Sequence, residues 1–280
     1  AVLLQHLRLA VIPFRQGDAG ADTIWGGTGN DAIYGGDDND LLQGEGGNDV
    51  FLAGAGNDVS YGGDGNDDVY GGAGDDSVIG GAGADYLFGG AGRDTVSGGD
   101  GNDVLSGGLG NDTLTGGRGN DVYQFNRGDG QDVIDESLTD PAVHQILATP
   151  APVQPAVTQG GKGAGQVSLN DTRTGLISKL PKTESGEDTL QFGRNIDIDD
   201  LLLERIGDDL RITLLPGQGS DARDSVTVHG WYIPQYRIEQ LRFINGIAVD
   251  IGDLDGAVSG STVDDALSAA AGKEIGRASC

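Results

Sequence analysis

The stretch GGDGNDVLSGGLGNDTLTGGRGNDVYQ at residues 98–124 contains one nine-residue pattern three times in succession. Followed backwards, the pattern continues without a gap to Gly17 and gives twelve copies over 17–124. The sixth position is always Asp, the first and fourth positions are Gly in eleven copies each, and the eighth is apolar in eleven, with Ser60 as the exception. Self-similarity at a fixed short period predicts a solenoid in which each copy stacks on its neighbours.

Each fixed position has a physical role. Glycine accepts positive φ and lets backbone carbonyls converge on one point, and a hard cation such as Ca²⁺ takes about six to eight oxygen ligands. The last three residues of a copy are predicted to form a very short strand, whose middle side chain points into the core because side chains alternate between faces. Two copies close one turn, so twelve copies predict six turns and a length of roughly 29 Å at about 4.8 Å per turn.

The pattern resembles the GGxGxDxUx nonapeptide of RTX proteins, the haemolysin-type calcium-binding repeats. The resemblance implies an all-β fold, a right-handed parallel β-roll (the RTX solenoid) over 17–136, and Ca²⁺ ions in two rows between the loops of successive turns. Twelve loops in two rows leave at most about ten such sites. The implied metal ligands are the sixth-position aspartates and one further aspartate in a broken copy: Asp22, Asp31, Asp40, Asp49, Asp58, Asp67, Asp76, Asp85, Asp94, Asp103, Asp112, Asp121 and Asp132.

Two irregularities affect these expectations. Asp38 and Ala53 stand where the other copies have glycine, so the sites beside them are expected to depart from the pattern. Residues 127–135 repeat the pattern once more after the insertion of Phe125 and Asn126. Because terminal repeats of solenoids are commonly atypical, 127–135 is predicted to be a cap on the open end of the roll.

The charge of the roll also favours a cation. Residues 17–136 contain 24 Asp and Glu against three Arg and no Lys, a net charge of −21 out of −27 for the whole chain. About ten divalent ions would nearly cancel that charge, so folding and metal binding are predicted to be one event. Nucleic acid and anionic membranes are excluded as partners because the 17 Lys and Arg form no basic cluster. No apolar run reaches the roughly 18 residues of a membrane span.

The remaining residues divide into four parts. Residues 1–16 are predicted to end a preceding element, as a short strand, and 137–185, with five of the eight prolines, to be a Pro/Gly-rich linker. Residues 186–252 alternate as a small antiparallel β domain with an Asn245-Gly246 hairpin turn. Part of this region resembles the haemolysin-type calcium-binding related domain, namely the segment DTLQFGRNIDIDDLLLERIGDDLRI (188–212). Residues 253–280 are a C-terminal tail and a candidate type I secretion signal.

No catalytic set is visible, so we expect the chain not to be an enzyme. Its three histidines are far apart in sequence, and it has no HExxH, GxSxG, P-loop or paired-cysteine motif.

The resemblance implies a secreted, extracellular bacterial protein that uses the type I secretion machinery. Two alternatives for the parent protein stay open: an RTX haemolysin, toxin or secreted hydrolase whose C-terminal part is this chain, and a surface adhesin or S-layer protein. Aromatic residues at 231, 232 and 236 are predicted to be packing rather than a carbohydrate platform.

Overall fold

The computed structural model describes residues 14–136, 187–215, 224–231 and 236–251. In these ranges the chain is almost entirely β, with a 3-10 helix at Ile198–Asp200 and no α-helix. The strands are β1 (Phe14–Gln16), β2 (Thr23–Thr28), β3 (Ala32–Asp37), β4 (Leu41–Gly46), β5 (Val50–Ala55), β6 (Val59–Asp64), β7 (Asp68–Ala73), β8 (Ser77–Ala82), β9 (Tyr86–Gly92), β10 (Thr95–Asp100), β11 (Val104–Gly110), β12 (Thr113–Arg118), β13 (Val122–Phe125), β14 (Gln131–Ile134), β15 (Thr189–Phe192), β16 (Leu201–Ile206), β17 (Asp209–Leu214), β18 (Ser225–Val228), β19 (Gln240–Phe243) and β20 (Ala248–Asp250).

The strands form two sheets that the chain visits alternately. The first sheet has the order β1-β3-β5-β7-β9-β11-β13-β15-β19-β20, and the second has the order β16-β17-β18-β14-β12-β10-β8-β6-β4-β2. Within the repeats each strand pairs in parallel with the strand one turn later, in an 18-residue register such as Thr95↔Thr113. The predicted parallel β-roll with two copies per turn is therefore confirmed.

The core of the roll is the stack of eighth-position side chains between the two sheets. Eleven of the twelve are buried, namely Ser60 and ten apolar or aromatic side chains: Ile33, Leu42, Phe51, Val69, Val78, Leu87, Val96, Leu105, Leu114 and Tyr123. Each apolar member stabilises the fold by roughly 1.5–3 kcal/mol relative to exposure. Ile24 in the first turn is only partly buried, and Ser60 is buried with no hydrogen-bond partner for its hydroxyl.

The strands are longer than the predicted three residues. Most span six residues, from the seventh position of one copy to the third position of the next, as in Ser77–Ala82. They extend through the glycine pair because the second glycine still aligns with its counterpart one turn on, as in Gly81↔Gly99. The glycines therefore belong both to the strands and to the loops.

The predicted cap at 127–135 is wrong, because the roll continues past it. Strand β14 within this segment pairs with β12 on one side and, in parallel, with β18 on the other. The two inserted residues change the register between β12 and β14 from 18 to 20, as in Thr113↔Val133. The insertion is absorbed in the loop, so both sheets receive further strands.

We call the described residues after 186 the C-terminal extension. Its strands β15 and β19 add to the first sheet in parallel, and Phe192 stacks on Phe243 at 5.3 Å between ring centroids. The predicted antiparallel region is present as β16-β17-β18 and as the β19-β20 hairpin, which turns at Asn245-Gly246.

Three predictions fall at the edges of the described ranges. Residues 14–16 form a short strand that pairs in parallel with β3 of the roll, and residues 1–13 of the predicted preceding element lie outside the described ranges. The predicted linker at 137–185 and the tail at 253–280 lie outside the described residues. Among the described residues no helix has the length and apolar character needed to cross a membrane.

Candidate metal centre

The thirteen predicted aspartates lie in two rows along the edges of the roll, because successive loops alternate between its two sides. Row one precedes strands of the first sheet and consists of Asp31, Asp49, Asp67, Asp85, Asp103 and Asp121. Row two lies at the start of strands of the second sheet and consists of Asp22, Asp40, Asp58, Asp76, Asp94 and Asp112, which each precede a strand, and Asp132, the second residue of β14. Twelve of the thirteen side chains are buried, and Asp22 in the first turn is half-buried.

Each row is held by one repeated hydrogen bond. The backbone N–H of a row aspartate donates to Oδ1 of the row aspartate one turn later, over 2.7–3.1 Å. Asp85, for example, donates to Asp103 at 2.9 Å. The bond fixes the orientation of every carboxylate from the second turn onward, so the second oxygen of each is held in a common direction.

That second oxygen has no hydrogen-bond partner. Oδ2 is buried and unpartnered in twelve row aspartates: Asp31, Asp40, Asp49, Asp58, Asp67, Asp76, Asp85, Asp94, Asp103, Asp112, Asp121 and Asp132. A buried polar atom without a partner is costly, and a repeated one requires an explanation. A cation that replaces the missing donors is the explanation that fits all twelve.

The first-position glycine places a carbonyl beside this oxygen. A β-carbon built on Gly89 would lie 2.5 Å from Asp94 Oδ2 and 2.6 Å from the carbonyl oxygen of Gly107, one turn later. A side chain at that position would enter the space between carboxylate and carbonyl. Both are hard oxygen donors of the kind that Ca²⁺ prefers, so the donor set fits the ion that the sequence implies.

Burial also makes the carboxylates poor acids. It raises the pKa of Asp76, Asp85 and Asp103 to about 7 and that of Asp121 and Asp132 to about 8. The accepted backbone N–H lowers each pKa, and neighbouring carboxylates raise it further. Among the row aspartates with a raised pKa, only Asp31 has a basic neighbour, Arg15, that lowers it. The rows therefore lack compensating protein charge.

Side chains alone do not enclose an ion. No group of three or more His, Cys, Asp or Glu in the described ranges could hold a metal by itself. Each loop offers one row carboxylate, so the remaining ligands have to be backbone carbonyls. This agrees with the glycine content of the loops, since glycine lets carbonyls approach a common point.

The expected departures at the two irregular copies are small. Asp38 has φ of 75°, so it adopts the positive-φ conformation of the glycine that it replaces. At Ala53 the carbonyl oxygen still lies close to the position where Gly35 would carry a β-carbon, together with Asp40 Oδ2. The loops around repeats three and five therefore keep the same arrangement as the others.

The structure adds acidic residues to row one that the sequence interpretation missed. The N–H of Asp121 donates to Asp188 Oδ1 at 3.0 Å, and the N–H of Asp188 donates to Glu239 Oε2 at 2.8 Å. Asp188 and Glu239 thus continue the row by the same bond. The signal for Asp188 was its setting, GEDTLQ at 186–191, which matches the second half of the nonapeptide.

Two of the three aromatic residues considered as a carbohydrate platform pack in the interior, as predicted. Trp231 is fully buried and its Nε1 donates to the carbonyl of Ile238 at 3.0 Å, and Tyr236 is buried as well. Residue 232 lies outside the described ranges. A carbohydrate platform needs exposed rings, which Trp231 and Tyr236 do not provide.

Comparison with known families agrees with this geometry. The family model of the RTX calcium-binding nonapeptide repeat (4 copies) matches residues 16–42, 28–60, 61–96, 88–123 and 97–134. In a search of curated proteins no match was found. Because the matched segments coincide with the roll and its two rows of loops, residues 16–134 are RTX calcium-binding nonapeptide repeats folded as a parallel β-solenoid.

Proposed function

We propose that this chain is a calcium-triggered folding module of a secreted bacterial RTX protein, and that the row aspartates are its Ca²⁺ ligands. The observation that carries the proposal is the set of twelve buried Oδ2 atoms without a hydrogen-bond partner. The glycine carbonyls beside them supply the other oxygens, and the two rows of loops provide at most about ten sites.

Bound Ca²⁺ supplies positive charge where the protein has only carboxylates and carbonyls. Without it, a roll with a net charge of −21 over residues 17–136 has to bury ionised carboxylates that repel one another. The energy gained by binding is then also the energy that folds the chain. The roll is therefore expected to fold cooperatively as calcium rises.

The same ligand set favours folding outside the cell. Ligand sets rich in neutral carbonyls belong to the weak, extracellular class of calcium sites, with Kd of about 10⁻⁴ to 10⁻³ M. At cytosolic calcium the chain would stay unfolded, which suits export through the type I secretion machinery, and it would stiffen outside. Deletion of residues 253–280 tests the export part, since the tail is the candidate secretion signal; unchanged export would remove that assignment.

In this proposal the chain binds and does not catalyse. Its one described histidine, His229, lies 3.7 Å from Asp135 and 3.9 Å from Asp209 at the edge of the extension. It is far in sequence from the two other histidines, and the row carboxylates are occupied by their structural and metal roles. An activity of the parent protein, as toxin, hydrolase or adhesin, would come from other domains.

Circular dichroism during a calcium titration to about 10 mM, with magnesium in parallel, tests the central claim. A cooperative rise of the β signal with calcium alone is expected, because Mg²⁺ demands near-octahedral geometry and dehydrates reluctantly. A roll already formed in chelator, or an equal response to magnesium, would show that the solenoid does not depend on calcium.

A further inference from the structure

The amino-terminal end of row one carries a cation that belongs to the protein itself. Strand β1 pairs in parallel with β3 in the register Arg15↔Ile33, and Ile33 is an eighth-position side chain that is fully buried in the core. Because side chains paired across neighbouring strands point to the same face of a sheet, Arg15 continues the stack of core side chains. A half-buried arginine therefore occupies the equivalent of a position that is apolar in eleven of the twelve nonapeptides.

The guanidinium group of Arg15 reaches a backbone carbonyl of the first turn. Its Nη2 donates to the carbonyl of Gly26 at 2.5 Å, and its Nε is buried and has no hydrogen-bond partner. The group thus lies against the roll and not in solvent. A hydrogen bond from a charged donor is roughly twice as strong as one between neutral groups, and the aliphatic stem of an arginine can cover the apolar end of a core. The contact therefore fixes a positive charge on the first turn.

In the regular loops a carbonyl of this kind lies beside a row carboxylate. The position of a β-carbon on Gly26 is 2.8 Å from the carbonyl oxygen of Gly44 and 3.1 Å from Asp31 Oδ2. Gly44 follows Asp31 in the chain by the same number of residues as Gly26 follows Pro13, and a proline offers no carboxylate. The Gly26 carbonyl accepts a hydrogen bond from Arg15 instead. At this end of row one, a protein cation contacts the carbonyl that a row carboxylate accompanies in later turns.

The charge of Arg15 also acts on the first aspartate of row one. Burial raises the pKa of Asp31, and the positive charge of Arg15 lowers that pKa in part. The pKa values of the later row-one aspartates are raised by burial and by neighbouring carboxylates, and no basic group lowers them. Among the row-one aspartates of the described ranges, positive charge from the protein therefore reaches only the one at the amino-terminal end.

We propose that Arg15 is the end cation of row one: its guanidinium group takes the place of a Ca²⁺ ion at the first carbonyl of the row and holds the first turn by its charge. The inference rests on the proposed calcium binding of the roll and assigns a role to a residue outside the nonapeptides. A guanidinium brings a hydrogen-bond donor and a permanent charge together, so it needs no carboxylate to stay bound. Loss of the charge at position 15 should therefore loosen residues 17–34 even when calcium saturates the roll.

Amide hydrogen exchange, measured by mass spectrometry on the full chain at saturating calcium, tests this role. Arg15→Gln removes the charge but keeps an amide donor, whereas Arg15→Lys keeps the charge. Because a hydrogen bond to a charged group is lost, we expect exchange in residues 17–34 to become about tenfold faster or more in Arg15→Gln, and to stay within about threefold of the parent in Arg15→Lys. Residues 95–118, which report on later turns, should exchange as in the parent in both variants.

The matched control is Arg93→Gln. Arg93 is exposed at the fifth position of its nonapeptide, outside the core stack, and the substitution removes the same charge from the roll. Exchange in residues 17–34 should be unchanged in this variant. If Arg15→Gln does not fold at saturating calcium, Arg15→Lys decides alone: exchange within about threefold of the parent supports a role of the charge, and exchange about tenfold faster contradicts it.

The outcomes separate this inference from the proposed function. If calcium folds the roll and Arg15→Gln protects residues 17–34 as well as the parent does, the end cation is wrong and the proposed function stands. If Arg15→Gln and Arg15→Lys lose protection equally, or if exchange becomes faster in all turns, Arg15 is a structural contact and not a local cation, which also overturns the inference. If calcium does not change the circular dichroism of the parent, the proposed function itself fails.

Discussion

The substitution Asp103→Asn should have opposite effects with and without calcium. Asp103 is fully buried, its Oδ1 accepts the N–H of Asp85 at 2.9 Å, and its Oδ2 has no hydrogen-bond partner. Burial raises its pKa from 3.8 to about 7. A shift of about 3 units, at about 1.36 kcal/mol per unit, makes the ionised side chain cost about 4 kcal/mol in the metal-free roll above pH 7.

Asparagine removes that penalty, because it is neutral and retains an acceptor for the Asp85 N–H. In chelator at pH 8 the variant should therefore fold at a lower concentration of trimethylamine N-oxide, an osmolyte that favours compact states. With calcium it lacks a charged ligand, so the calcium midpoint of folding should rise by roughly tenfold. Both titrations are followed by circular dichroism.

The control is Asp75→Asn. Asp75 is exposed, stands where most copies have asparagine, and accepts the N–H of Arg93 through Oδ1, which asparagine also does. It removes the same charge from an exposed loop position that acts on row two only through its charge, so both midpoints should move much less than in Asp103→Asn. If Asp103→Asn shifts both midpoints in the same direction, the buried carboxylate is not an uncompensated charge that calcium neutralises, and the reasoning is refuted.

Three further predictions use other parts of the roll. Gly89→Ala places a methyl group between a carboxylate and a carbonyl and should raise the calcium midpoint of folding. Gly46→Ala, whose new β-carbon meets nothing nearer than 3.8 Å, should leave it unchanged. Equal midpoints would show that the carboxylate and the carbonyl do not bind the ion together. Leu105→Ala should destabilise the calcium-loaded roll by about 2–5 kcal/mol in urea, and Leu109→Ala, at an exposed position, by less than about 0.5 kcal/mol. In chelator the β signal should be stronger at pH 5 than at pH 8. Because the carboxylate pKa values are raised in the metal-free folded state, that state binds protons more tightly than the unfolded state, and its stability falls as pH rises from about 4 to 8. A β signal that grows with pH would contradict this linkage.

The regular part of the fold could be predicted residue by residue. The nine-residue period specifies the inward side chain, the row aspartate and the glycines, and the structure places Leu105 and Asp103 where that period puts them. The period ends at residue 124, so it predicts nothing about the strands that follow. The pairing of β13 with β15 joins residues 67 apart, as in Val122↔Thr189, and no local pattern encodes such a partner.

The loop at residues 126–132 shows the same limit at the level of single side chains. The sequence pattern predicts Asp129 to be one more loop residue, and it predicts Asp224 to be a polar residue at the start of a strand. Asp224 reaches the loop that contains Asp129, where its Oδ2 accepts the N–H of Gly128, only when the extension lies along the end of the second sheet and Ser225 pairs with Gln131. The wrong prediction of a cap at 127–135 has the same cause. An atypical repeat inside the roll has strands paired on both sides and a terminal repeat has one only on one side, and the sequence of the repeat itself does not show which case applies.

The repeated bond along the rows gives the roll a polarity. Each loop donates its aspartate N–H to the turn that comes next, so the N–H of Asp31 depends on Asp49, and the N–H of Asp49 depends on Asp67 and not on Asp31. Removing turns from the amino-terminal edge leaves every remaining row-aspartate N–H with its acceptor. The fifth-position N–H groups donate in the opposite direction, to the preceding turn, as in the bond from the N–H of Asn66 to Asn48 Oδ1 at 3.1 Å, so the same removal takes their acceptors away. Each loop is therefore tied to both of its neighbours by bonds of opposite direction, and at the end of row one Asp188 and Glu239 supply the acceptors that a further turn would otherwise provide.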